Sequence, residues 1–132
     1  MLTDIALVAA GGAIGGVARF QVAALVLRRF GGIFPWGTLA VNVSGALCLG
    51  AAAGWLQSGE AGAMPHGPVW SLLAIGALGS YTTVSSFSLQ TLALVDAGRP
   101  GLAVANIAAS LGLCLGAAAV GFAGVLALGG AL

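Results

Sequence analysis

The sequence predicts an all-α membrane protein of four transmembrane helices, the third broken near its middle. Three observations carry that prediction. Only 5% of the 132 residues are charged and 60% are hydrophobic, where an ordinary soluble domain carries about 25% charged residues. Four apolar stretches each approach or exceed the roughly 20 residues that cross about 30 Å of hydrocarbon. Finally, six of the ten residues from 79 to 88, GSYTTVSSFS, are Ser or Thr, inside a run from Val69 to Val95 with no charge. Seven charges (four Arg, two Asp, one Glu) cannot cover a folded body of this size in water, so lipid is the expected solvent. No basic patch marks a nucleic-acid partner. A single membrane domain over residues 1–132 is the reading, with nothing left over for a soluble domain. The opening MLTDIALVAA lacks a basic n-region and stays apolar too long for a cleaved leader, so it reads as part of the mature chain.

The elements follow in order. Span one covers about 5–27, interrupted by Arg19 and Gln21, and ends at RRFGGIFPWG, where paired Gly and a Pro punctuate the chain. Span two, 37–56, stops at the turn-rich QSGEAGAMPHGP. Span three is 69–95, DAGRPG makes a tight turn, and span four is 102–128. Glycine weakens a helix, yet the chain has 23. In membranes, small residues four apart let backbones approach. Gly11/Gly15, Gly12/Gly16, Gly50/Gly54 and Gly112/Gly116 have that spacing. Four thin, tightly packed helices leave little room for a cavity within one subunit, so a transport path would run along an interface between subunits. Arg28, Arg29 and Arg99 share one side and the other has no Arg or Lys, which by the positive-inside rule puts both termini outside. Cys48 and Cys114 sit in apolar runs and read as free thiols.

Lipid makes unsatisfied polar groups costly, so each one inside a span needs a partner or a role. Arg19 either snorkels toward the Arg28/Arg29 side or draws anions toward a pore mouth. Asn42 has Thr38 one turn earlier on the same face; a lone Asn of this kind ordinarily ties helices together. Asn106, Ser110 and Cys114 form an i, i+4, i+8 stripe on span four. In span three, Gly76, Gly79 and the hydroxyls weaken a continuous helix and predict a break. Broken helices persist at membrane depth only where the freed carbonyls are buried or hold an ion. Beyond the break, Val84, Phe87 and Thr91 share one face, as do Thr83, Phe87 and Gln90. The acidic residues Asp4, Glu60 and Asp96 all fall at span ends or in loops, which argues against a proton-coupled exporter of the small-multidrug type. His66 stands alone in a loop, and no constellation of side chains suggests an enzyme.

GGAIGGVARF, GTLAVNVSG and GALGSYTTVSSFSLQT, in that order, resemble the Fluc/CrcB family of small fluoride channels. The resemblance implies an antiparallel dimer in the plasma membrane, with two pores and a structural Na⁺ at its centre. It assigns the Na⁺ carbonyls to Gly79 and Thr82. Asn42 matches the pore asparagine, with Thr38 nearby, and Arg19 matches the first-span arginine, placed at the pore vestibule. Phe87 matches the second of two phenylalanines lining the fluoride path, and Ser110 a serine of the fourth-span polar track. Thr83, Val84 and Asn106 complete the expected path. The chain departs from the family pattern with Val84 for Phe, Ser80 for Gly, Gln90 for Glu and Asn106 for Tyr. Some relatives pair two different subunits in fixed orientations, so homodimer and heterodimer both stand as readings, as does a non-transporting partner subunit. The chemistry suits the ion. Fluoride is small and tightly hydrated, and amide, hydroxyl and ring-edge donors can replace its water without a fixed cation that would hold it too well.

Overall fold

A computed structural model describes residues 2–58 and 67–129. The 59–66 stretch, with Glu60 and His66, lies outside the described residues. Helix α1 is Leu2–Phe30 and α2 is Trp36–Ser58. The third span opens with α3, Pro68–Trp70, runs through eight residues in π-helical geometry, Ser71–Leu78, and closes its first half with α4, Gly79–Tyr81. Two extended residues follow, then α5, Val84–Asp96, and α6, Pro100–Gly129. Four helical spans are long and apolar enough to cross a membrane. Each overruns the predicted apolar stretch by one to three residues, because a helix continues until a capping group stops it rather than where hydropathy falls.

The turns show those stops. Gly31, at φ 79°, sends its N–H to the Leu27 carbonyl at 2.9 Å and ends α1. The Phe34 and Trp36 rings meet in the same turn, tilted by 52° with centroids 4.7 Å apart, and Arg29 lies 5.8 Å from the Phe30 ring centroid, an aromatic and cationic girdle suited to the membrane interface. At the other turn, Gly98 has φ 71° and Arg99 donates back to the Leu94 carbonyl at 2.9 Å, a Schellman closure. Pro100 then begins α6 at a position where its missing N–H costs nothing.

Two close helix pairs build the protomer: α2 against α6, and α1 against the π-helical segment. Glycine makes both possible. A methyl group on Gly50 or Gly121 would land on the carbonyl of Ala118 or Leu47 respectively, and one on Gly11 or Gly15 on that of Leu72 or Ala77. By contrast, Gly12, Gly112 and Gly116 face open space, and Gly16 meets only the Ser80 hydroxyl. Equal spacing thus conceals two roles, since a helix has close neighbours on some faces only. The outward faces are bare and apolar: Phe20, Leu115 and Val120 are exposed, as lipid contact requires. Cys48 and Cys114 are both free.

Candidate functional site: a helix break beside a polar groove

The third span is interrupted at Thr82 (φ −77°, ψ 159°) and Thr83 (φ −153°, ψ 123°), both extended. The break falls after the two glycines, not at them. Gly79 is itself helical, and its N–H reaches back five residues to the Ala74 carbonyl. Gly76 serves packing instead, lying so close to α1 that a Cβ would sit 2.8 Å from the Val8 carbonyl. What ends α4 is a competition for backbone partners. The Leu78 carbonyl takes both the N–H and the hydroxyl of Thr82, each at 3.0 Å. The next N–H, that of Thr83, would close on the Gly79 carbonyl in a continuous helix. It goes instead to Asn42 Oδ1 at 2.8 Å, while Asn42 Nδ2 donates to the Thr83 carbonyl at 2.9 Å. Thr83 then caps α5, its Oγ1 accepting from the Ser86 N–H at 3.2 Å.

One turn of α2, residues 42–45, supports the break. Ser44 Oγ meets the Tyr81 hydroxyl at 2.9 Å, and Gly45 lies directly under the Thr82 methyl. Neither residue was singled out from the sequence, although both stand within the Asn42 motif and Gly45 is one turn from it. On the α1 side, Arg19 Nη1 lies 3.4 Å from the Thr82 carbonyl. The guanidinium therefore points to the break rather than snorkelling toward Arg28 and Arg29.

An open groove of about 550 Å³ runs beside the break. It brings together Asn42, Gly79, Thr82, Thr83, Val84, Phe87, Ser110 and Cys114, drawn from α2, both halves of the third span, and α6. Neutral donors, one aromatic ring and apolar walls line it, with no charged side chain among the described residues. Thr38 is buried one turn back along α2 and lines a second groove of about 690 Å³, with Gln90, Arg99, Phe20 and Trp36. Gln90 Oε1 is buried without a hydrogen-bond partner among the described residues.

Asn106 does not join Ser110 and Cys114 in the first groove. It is 2% exposed and donates to Thr91 Oγ1 at 2.8 Å, and Thr91 in turn donates to the Phe87 carbonyl at 2.7 Å. At 3.6 residues per turn, positions eight apart drift about 80° around a helix. The stripe of three therefore parts, with Asn106 turned to α5 and Cys114 to the groove.

Four apolar spans, the third of them broken beside a neutral polar groove, define a small multi-pass membrane protein. The chain belongs to the family described as CrcB-like protein, Camphor Resistance (CrcB), which matches residues 6–122. It is 46% identical over 123 residues to "Fluoride-specific ion channel FluC 2" of Rhodopseudomonas palustris, covering 93% of each chain. Its identity to "Fluoride-specific ion channel FluC 2" of Bradyrhizobium diazoefficiens is 44% over 131 residues, 98% of this chain and 94% of that one. A "Fluoride-specific ion channel FluC 4" of Brucella abortus is 47% identical over 120 residues, covering 91% of this chain and 90% of that one. These relatives are ion channels, not enzymes, and their names together with the four spans are consistent with the plasma membrane.

Proposed function

We propose that this chain forms a fluoride-selective channel that lets the anion leave the cell passively, down its gradient, as an antiparallel dimer. The observation that carries the reading is the 550 Å³ groove, where Ser110, Thr83 and the Phe87 ring stand together with no charged side chain among the described residues. Hydroxyl and ring-edge donors can take over from fluoride's water and still release it. The relatives' names supply the ion. One protomer's groove is open on a side, and a second copy would close it.

The reading also gives the Gly79 and Thr82 carbonyls to a structural Na⁺. The donor set fits in part. Gly79's carbonyl has lost the Thr83 N–H to Asn42, and Thr82's extended carbonyl keeps a second lone pair beside Arg19. Two oxygens are too few to replace an alkali ion's water, so both protomers would have to contribute. When bound, the ion would offset the repulsion of carbonyls facing one another.

Reconstitution tests the channel. Fluoride-loaded liposomes holding the purified protein are expected to empty when an ionophore shunts the charge, while chloride-loaded ones stay full. Equal loss of both anions, or of neither, would sink the reading. Release only after mixing with a related chain would mean that the working unit is a heterodimer.

Val84 gives a second check. It lines the groove and is 77% exposed in the single protomer, so a larger ring there displaces no side chain of its own protomer. Val84→Phe is expected to leave fluoride flux unchanged or raise it, because the ring adds a positive edge to the wall. A drop in flux in the same liposome assay would remove Val84 from the path.

A further inference from the structure

We infer that Asn42 is a positioning residue, whose carboxamide fixes the conformation of the break, and so the start of α5, by holding both the N–H and the C=O of Thr83. For its effect on transport this rests on the channel reading above. The geometry is that of a β-ladder pair: extended Thr83 turns its N–H and its C=O, from successive peptide groups, to the same side, and the carboxamide meets both. Nδ2 donates to the Thr83 carbonyl at 2.9 Å and Oδ1 accepts from the Thr83 N–H at 2.8 Å. Those two contacts also settle which way the amide points, because the reverse orientation would oppose donor to donor and acceptor to acceptor.

A residue that only offered an N–H to a passing anion would have no use for its oxygen. Here the oxygen takes the backbone donor that would otherwise rebuild the helix through Gly79. The fork spans 41 residues of sequence. It is backed by Gly45 against Thr82 and by Ser44 against Tyr81, so α2 acts as a template for residues 81–83. Because Thr83 is the N-cap of α5, its peptide plane determines where Val84 and Phe87 stand in the groove.

Chemistry separates this role from simple donation. A neutral carboxyl has one donor and one acceptor in the same fork, whereas a carboxylate has no donor and repels the Thr83 carbonyl. A serine hydroxyl can still serve a passing anion but cannot reach both the N–H and the C=O of Thr83. The experiment measures fluoride efflux and Thr83 amide exchange in Asn42→Asp and Asn42→Ser, against the parent and protein-free vesicles at each pH. Near neutral pH both variants are expected to lose about a hundredfold in flux and to exchange the Thr83 amide about a hundredfold faster, the size of a buried polar pair left open. Once the pH is low enough for its carboxyl to take up a proton, Asn42→Asp is expected to regain flux and amide protection, while Asn42→Ser regains neither.

An Asn42→Ser protein that conducts like the parent with an unchanged Thr83 amide would overturn the inference. So would an Asn42→Asp protein that acid does not restore. If neither variant folds, the parent decides: a Thr83 amide exchanging as freely as an unstructured peptide overturns the proposal. A parent that carries no fluoride sinks the channel reading, and the exchange data still judge Asn42.

Discussion

Gly121→Val is expected to yield no stably folded protein, while Gly124→Val, one turn along the same helix, should purify like the parent. The difference is what each side chain would meet. A Cβ on Gly121 falls on the Leu47 carbonyl oxygen and 2.9 Å from the Ala51 nitrogen, whereas one on Gly124 has nothing within 4 Å. Both obstacles at Gly121 are helix backbone, which cannot swing aside as a side-chain tip can. Overpacking a close-packed core costs typically about 1–3 kcal/mol, and here the strain recurs along the contact. A Cβ on Gly50 would likewise fall on the Ala118 carbonyl and one on Gly54 2.6 Å from that of Phe122, so moving α6 off Gly121 also opens those approaches. Lipid offers little to compensate, since van der Waals contact between backbones supplies much of the association energy of membrane helices. The measurement is a monodisperse peak in mild detergent and its survival on heating. Equal behaviour of the two variants would mean that α2 and α6 do not pack as described.

Asn106→Leu is expected to lower thermal stability and to cut fluoride flux about tenfold, the effect of losing roughly 1–2 kcal/mol of interhelical hydrogen bonding. The buried amide joins α6 to Thr91, and Thr91 donates on to the Phe87 carbonyl. The relay therefore holds α5 against α6 behind the ring that lines the groove. Leucine fills a similar volume but donates nothing, leaving the Thr91 hydroxyl with one contact fewer. Thr91→Val removes the other end and should reproduce the loss, and the double variant should be little worse than either single one, because the two share one bond. If the losses simply add, Asn106 acts by another route. An anion contact made by Asn106 itself would produce that additivity.

The break illustrates what can be read from the chain in advance. Six hydroxyls within ten residues are a local property, and so is the glycine content around them. They mark a weak point in a helix, and the interruption lies among them. Its placement three residues beyond Gly79 depends on Asn42, a residue on another span that captures the Thr83 N–H. No periodicity in 69–95 encodes that capture. Arg19 is similar: its presence in a span asks for a partner, but only the approach of α1 to the third span supplies the Thr82 carbonyl.

By itself, the sequence determined the solvent, the number and rough limits of the spans, the existence of a weak third helix and the kinship carried by three ordered motifs. Charge content, apolar run length and turn residues are all local quantities that survive without a fold. Tertiary structure alone decided which polar group serves which partner: Asn42 with Thr83, Asn106 with Thr91, Arg19 with Thr82. It alone separated Gly11, Gly15, Gly50 and Gly121, which are pressed against neighbouring backbone, from Gly12, Gly112 and Gly116, which face outward. The reason is physical. In water an apolar stripe shows which way a helix faces, but in lipid both faces are apolar, so inside and outside differ only in contacts made after the helices have met.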